Sequence, residues 1–378
     1  MAERADAAVI GAGACGLAAA AVLKRAGLRP LVLDREAELG SSWARRYDTL
    51  RLNTMGAMSH LPGRRFPRRY GRYPRRDDMV EYLRDYARAQ GLEVRFGTAV
   101  ERVDRAGGGG WRVTTAAGEL EAPVVVVATG YDVVPKMPRW PGAESFEGEL
   151  IHAREFRSAG PFHGRDVLVV GAGNTGTEVA HHLLAGGAAR VAVSMRTPPN
   201  IFPRDWLGLP LNPTALVLEA LPPRVGDPLA QMTQRLIFGD LARYGMPRAP
   251  HGPLASIRER AVAPAVDDGF VEDLKRGAVE LVGTIERFEG ADVVLAGGRR
   301  RQPDVVIAAT GYSRGLEPLV GHLGVLDPDG HPIAPDGRAT PGAPGLHFMG
   351  YVAAFSGQLR QARIQARRLA REVRRGRA

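Results

Sequence analysis

Short apolar runs punctuate this chain, and they do not alternate with polar residues. Ala7–Ile10, Pro30–Leu33 and residues 123–128 form one set; Asp166–Val170, Arg190–Ser194 and residues 304–309 form another. Continuous runs of this length read as strands buried on both faces, the pattern of a parallel sheet. Helical periodicity fills the intervals. Residues 13–26 read as a helix closed by Gly27, a residue suited to a helix C-terminus. Residues 77–90 place Met79, Tyr82, Leu83, Tyr86 and Ala87 on one face, and Asn174–Ala185 is a further helix. A shorter helical patch lies at 229–244. Near the end, Leu359, Ala362, Ala366, Leu369, Ala370 and Val373 fall at helical spacing opposite a face of Arg and Gln, starting near Gly357. Residues 94–115 alternate around a glycine tip at 107–110 and predict a small meander. Residues 135–161 and 198–264 are rich in proline and glycine and read as a linker and an irregular insertion.

The order of these elements predicts an α/β chain with two Rossmann-like dinucleotide-binding domains, the second inserted in the first. The first would span residues 1–150 and 313–378. The second would span 160–312 and carry the 198–264 insertion as a substrate lid.

Each strand set opens on a glycine fingerprint: Gly11-Ala12-Gly13-Ala14-Cys15-Gly16, then Gly171-Ala172-Gly173-Asn174-Thr175-Gly176. The strand before and the helix after turn a weak pattern into a specific one. The first glycine permits a tight turn, the second lets backbone approach a pyrophosphate, and the third lets helix and strand pack closely. The helix N-terminus then offers N–H groups and partial positive charge to the phosphates. Two such folds suit hydride passage from a nicotinamide to a flavin.

The two sites differ where the second strand ends. In the first fold that strand closes on Asp34, next to Arg35. A carboxylate there suits a free ribose 2′-hydroxyl, as in FAD or NAD. In the second fold Arg196 stands in the corresponding place, suited to pairing a 2′-phosphate, which predicts NADPH. The tetrapeptide Ala-Thr-Gly-Tyr follows an apolar run in both halves, at 128–131 and 309–312. Ala128, Thr129, Gly130, Thr310 and Gly311 are accordingly candidate cofactor contacts.

Composition narrows the chemistry. The formal charge is +10. Most basic residues are scattered, so part of this charge is expected to offset cofactor phosphates. The dense exception is residues 63–76, where Phe66, Tyr70 and Tyr73 interleave with arginines. That segment reads as an irregular surface loop, with nucleic-acid binding as the competing reading. A single cysteine, Cys15, excludes an intramolecular disulfide or a Cys-x-x-Cys redox pair. No metal-ligand cluster stands out, and no run approaches the ~20 apolar residues of a membrane span. A cytoplasmic chain without membrane or nucleic-acid partner is expected; its oligomeric state is not legible.

Phe146, Gly148, His152 and Phe156 match the linker signature of the flavin-containing monooxygenases, Phe-x-Gly-x-x-x-His-x-x-x-Phe/Tyr, just before the second fingerprint. Ser42-Trp43 and the run from Tyr47 to Asn53 resemble that family's flavin-contact segment. Residues 264–312 resemble its YUCCA-type subfamily, which in plants converts indole-3-pyruvate to indole-3-acetate, and residues 356–360 resemble bacterial members. The resemblance implies an enzyme, a class B monooxygenase using FAD, NADPH and O2. It implies a C4a-(hydro)peroxyflavin that oxygenates a small molecule at N, S or a carbonyl such as an α-keto acid. It also places Asn53 beside the reactive flavin as the catalytic residue. His152 is implied to shape the linker rather than perform chemistry. Gln358, at the start of the last helix, would face the flavin. The competing enzyme class is an NAD(P)H-dependent flavin or quinone oxidoreductase that forms no stable peroxyflavin.

Overall fold

A computed structural model describes residues 3–376. The chain divides into two compact units, one of residues up to 46, 50–134 and from 312 onward, the other of residues 47–49 and 135–311.

In the first unit a sheet runs in the order Ala339–Thr340, Ala343–Phe348, Val125–Val127, Ala7–Ile10, Pro30–Leu33, Glu93–Arg95. All neighbours are parallel except the first pair. The non-alternating runs are the central strands, and their residues are buried on both sides. The helix Ala14–Arg25 covers one face with the helices Arg76–Ala89 and Gln358–Arg375. Alanines at 18–21 face this cluster, and their small size lets Leu359, Ala362, Ala366 and Leu369 approach. The meander expected at 94–115 exists as Val100–Arg105, Trp111–Thr115 and Gly118–Ala122, antiparallel in sequence, with Glu3–Arg4 added to its edge.

The second unit is built on a five-stranded parallel sheet, ordered Glu149–His152, Val305–Ala308, Asp166–Val170, Arg190–Ser194, Val279–Val282. Its edge strand corrects the sequence reading. Residues 135–161 are not a plain linker, because Glu149–His152 pairs along its whole length with Val305–Ala308. The boundary therefore falls at 134/135, before the expected break at 150. As an edge strand, Glu149–His152 buries only its last residue and carries no continuous apolar signal.

The 198–264 insertion holds regular helices: Asn212–Ala220, Pro223–Phe238 and Pro253–Arg260. The middle one begins earlier than the patch expected at 229–244, with Pro223 in its first turn, where proline is tolerated. In the basic segment 63–76, Tyr70 and Tyr73 are buried, and the Phe66 ring packs 4.1 Å from that of Tyr82. Arg64, Arg65, Arg68, Arg69, Arg72 and Arg75 are exposed and Arg76 is half-buried, while the aromatic rings anchor the loop.

Candidate functional site

The two fingerprints fold alike at their glycines. Gly11 and Gly171 have φ of +104° and +109°, a region costly for any residue with a Cβ. A Cβ on Gly11 would lie 2.5 Å from the Ala128 carbonyl oxygen, and one on Gly171 would lie 2.6 Å from that of Ala309. Ala128 N–H donates to Ile10 O, and Ala309 N–H donates to Val170 O, both at 2.9 Å. The repeated Ala-Thr-Gly-Tyr thus has a physical role: its alanine carbonyl closes under the first glycine of each loop. The third glycines are as constrained, since a Cβ on Gly16 or Gly176 would meet the carbonyl of Gly11 or Gly171 at 1.8 and 1.9 Å.

The second glycines are different. Nothing lies within 4 Å of a Cβ built on Gly13 or Gly173. Each serves as the N-cap of a 12-residue helix, has no side-chain cap, and is followed by a first turn without acidic residues. The N–H groups that open Ala14–Arg25 and Asn174–Ala185 therefore have an open approach and no local competitor. Two cradles that fit a pyrophosphate are present, one per unit.

Asp34 stands at the end of its strand. Its Oδ2 accepts the Ala12 N–H at 2.5 Å, and its Oδ1 accepts the Glu36 N–H at 2.8 Å. The carboxylate thus ties the glycine loop to the second strand, and its remaining lone pairs can still accept ribose hydroxyls. Arg35 is exposed. Glu36 forms a bidentate pair with Arg45 at 2.6 and 2.7 Å, and that carboxylate pushes the Arg45 guanidinium up. Arg45 caps the short helix Ser41–Ala44, which carries exposed Ser42 and half-buried Trp43.

Asn53 is half-buried and lies beside Thr54. Gly357, with φ of +86°, is the N-cap of Gln358–Arg375, and a Cβ there would meet Thr54 at 2.8 Å. The Asn53 segment and the start of the C-terminal helix are therefore neighbours. Gln358 is exposed, and its side-chain amide donates to Val352 O at 2.8 Å.

The Ala-Thr-Gly turns are braced differently. Thr129 N–H donates to the Tyr351 hydroxyl at 3.2 Å, and Thr129 Oγ1 bonds the same oxygen at 2.9 Å. Burial pushes the Tyr351 phenol above its ordinary range, so it stays protonated. In the second unit the Thr310 hydroxyl donates to Lys136 O, and Lys136 N–H donates to Gly311 O at 2.9 Å. Gly311 O also accepts His152 Nε2–H at 3.3 Å, while His152 Nδ1 accepts the Arg154 N–H at 3.0 Å. Burial holds His152 below the usual imidazole range, so it sits neutral and satisfied.

In the second fold the Asn174 side chain reaches the insertion. It donates to Pro264 O at 3.1 Å and accepts the Val266 N–H at 2.8 Å. The amide oxygen and one of its N–H groups are thereby committed to protein. Thr175 is half-buried in the same turn. Arg196, two residues past Arg190–Ser194, is exposed.

Sequence reasoning did not anticipate three contributors. Tyr351 is one, although Gly350-Tyr351 follows an apolar run just as Gly130-Tyr131 and Gly311-Tyr312 do. Arg314 is another: it is buried, with its guanidinium carbon 3.3 Å from the Tyr131 ring centre. The third is the Tyr47–Glu178 pair. Residues 47–49, read as part of the flavin segment, pack within the second unit, where the Tyr47 hydroxyl donates to buried Glu178 and Thr49 bonds His182 at 3.0 Å.

Comparison with known proteins agrees with this geometry. Residues 8–205 match the pyridine nucleotide-disulphide oxidoreductase family. Indole-3-pyruvate monooxygenase YUCCA1 of Oryza sativa subsp. japonica is 35% identical over 348 residues, covering 91% of this chain and 86% of that protein. The probable indole-3-pyruvate monooxygenase YUCCA9 of Arabidopsis thaliana is 33% identical, covering 91% and 83%. A doubly substituted flavin monooxygenase from Stenotrophomonas maltophilia superposes with a TM-score of 0.77 at 26% identity over both full chains. Cyclohexanone monooxygenase, at 22% identity and a TM-score of 0.74 over 99% of this chain and 88% of that one, shares the fold. With paired pyrophosphate cradles and this kinship, the chain belongs to the class B flavin-containing monooxygenases, enzymes that use FAD and NADPH.

Proposed function

We propose that the first unit holds FAD, that the second holds NADPH, and that the chain oxygenates a small α-keto acid. The observation that carries the assignment of cofactors is the contrast between two otherwise matching cradles, one ending in Asp34 and the other in Arg196. A carboxylate accepts ribose hydroxyls but repels a 2′-phosphate, whereas a guanidinium attracts it. Similarity to indole-3-pyruvate monooxygenases over 91% of the chain supports the keto acid over an amine or sulfide. Bound FAD supplies oxygen activation, with NADPH as the source of hydride.

The protein's own residues then position and shield. The N–H groups at Ala14 and Asn174 hold pyrophosphates, and Ser42, Trp43 and the 128–130 turn border the flavin. Asn53 would offer its amide to the flavin side of the site, and the start of Gln358–Arg375, which has no side-chain cap, would favour negative charge placed near it. Water exclusion at this point suppresses peroxide release. Residues 198–264 help select the substrate. A cytoplasmic setting suits the demand for reduced nicotinamide. Thiol exchange is disfavoured: burial pushes the lone Cys15 thiol up to about 12, so it is not a thiolate at neutral pH.

The test follows oxygen. Purified enzyme with an aromatic α-keto acid should consume NADPH and O2, release CO2 and yield an acid one carbon shorter. Asn53→Ala should still oxidise NADPH, with more of the O2 emerging as hydrogen peroxide. Unchanged product per NADPH would remove Asn53 from the assignment. NADPH oxidation that never oxygenates any keto acid, amine or sulfide would favour a reductase.

A further inference from the structure

Two tyrosines of Arg76–Ala89 pin the segment 60–65 in place. The Tyr82 hydroxyl accepts the Leu61 N–H at 2.8 Å and donates to Arg64 O at 2.6 Å, and the Tyr86 hydroxyl donates to Pro62 O at 2.8 Å. His60 is thereby brought against the last helix, where Arg363 lies 303 positions on. Its Nδ1–H donates to Leu61 O at 3.1 Å, so its Nε2 accepts from the Arg363 guanidinium, a pairing that only the neutral ring permits. Arg363 is half-buried, and the arginines that act on it are Arg367 and Arg360. Burial, then those two cations, push its guanidinium down, and Arg65 and Arg367 also bear on His60. Among the described residues, no carboxylate pairs with Arg64, Arg65, Arg363, Arg367 or Arg371, whereas Arg368 and Arg375 of the same helix pair with Asp336 and Glu372.

Arg363, Arg367, Arg371 and Arg374 follow one another at helical spacing, which sets them in one row about 16 Å long. Leu359, Ala362, Ala366, Leu369 and Val373 occupy the buried face, so core packing fixes where the row points, and Arg367, Arg371 and Arg374 are exposed. Like charges at this spacing repel one another in the free protein, and a polyanion laid along the row relieves that repulsion. The rest of the surface selects the polyanion. A lipid surface is held by buried apolar area as well as by charge, and a protein interface by apolar and aromatic anchors. Among the described residues, neither the segment 60–76 nor the last helix exposes a large apolar side chain. Single strands stack their bases on exposed rings, whereas Tyr70 and Tyr73 are buried and the Phe66 ring lies against Tyr82. The backbone of a duplex asks only for fixed cations. We propose that this row, with Arg64 and Arg65, binds duplex nucleic acid through its phosphates, independently of base sequence. The sequence points away from such a partner because it shows the two arginine sets far apart; the fold of the first unit joins them.

A fluorescein-labelled DNA duplex of mixed sequence should bind the full FAD-loaded chain with a micromolar Kd at about 50 mM salt. Between there and about 200 mM, the logarithm of affinity should fall against that of salt with a slope of about −4, as about four or five neutralised phosphates require. Arg367→Gln with Arg371→Gln should make that slope shallower by about 2 and weaken binding at least ~30-fold at the lower salt. Both side chains are exposed and glutamine suits a helix, so melting temperature and flavin content should stay unchanged. Arg224→Gln with Arg235→Gln, exposed on Pro223–Phe238, removes the same charge elsewhere and should leave the slope as it was. No duplex binding at the lower salt, an equal loss of slope in the two double variants, or tighter binding of a single strand than of the duplex would overturn the proposal. So would a chain that sediments with phosphatidylserine-containing vesicles and ignores the duplex.

Discussion

Gly13 and Gly16 stand three residues apart in one turn and should answer substitution in opposite ways. A methyl group on Gly16 has a backbone oxygen 1.8 Å away and no side chain that can yield. Gly16→Ala should cost on the order of 3 kcal/mol or more in folding stability, read as a depressed melting temperature of the apoprotein. Gly13 has φ of −72° and open space around its Cβ, so Gly13→Ala should fold normally. Its methyl group nevertheless occupies the path of the pyrophosphate, and the purified protein should lose most of its yellow colour. Equal melting temperatures for the two variants would contradict the geometry. The same logic gives Gly173→Ala a normal flavin content and a raised KM for NADPH. Arg196 admits a different comparison. Losing a charged hydrogen-bond partner of a phosphate is worth roughly 2 kcal/mol, so Arg196→Ala should raise the KM for NADPH on the order of 30-fold. NADH, lacking the 2′-phosphate, should be little affected; equal losses would dismiss the assignment.

Among the elements, the Ala-Thr-Gly turn after Val125–Val127 depends on one distant hydroxyl. Tyr351→Phe leaves the Thr129 N–H and hydroxyl without that partner in a partly buried place. The expected loss is about 1–3 kcal/mol of stability, with weaker flavin retention, checked by thermal melts of holo and apo forms. This contact also shows where sequence reading stops. Thr129 and Tyr351 are 222 positions apart, and nothing local announces their pairing. Local features were legible: Asp166–Val170, Asn174–Ala185 and Arg190–Ser194 begin and end where apolar pattern and glycines put them. The glycine loops were equally readable from their local spacing, although the carbonyls that press on Gly11 and Gly171 come from Ala128 and Ala309, more than 100 residues on. Glu149–His152 escaped because an edge strand needs no continuous apolar run. Two of the candidates at the second loop illustrate both cases. Gly173 is explained by its neighbours in sequence, whereas the Asn174 amide is committed to residues some 90 positions on.

For the whole molecule, acid sensitivity follows from where the histidines lie. His60, His152, His182 and His347 are all held below the ordinary imidazole range, in each case chiefly by burial. Each therefore binds a proton more readily in the unfolded chain than in the folded one. Their joint contribution is fully present above the unfolded value near 6.5 and is lost as the pH falls from there through the lower folded values. The carboxylates are divided: burial pushes Asp267 up, which opposes this direction at lower pH, while others act with it. Arg95 holds Glu3 low, Arg287 and Arg300 hold Glu289 low, and Arg300 with Gln302 holds Asp292 low, although these exposed pairs act at still lower pH and count for little. The melting temperature should accordingly drop between about pH 7.5 and about pH 5.5. His347 offers the cleanest check, since it is 2% exposed and its Nδ1–H donates to Gly337 O at 3.2 Å. His347→Gln keeps a donor but cannot titrate, so its melting temperature should vary less over that interval than that of the native chain. A steeper dependence, or a native chain more stable at the acid end, would show that the buried imidazoles are not what sets the acid limit.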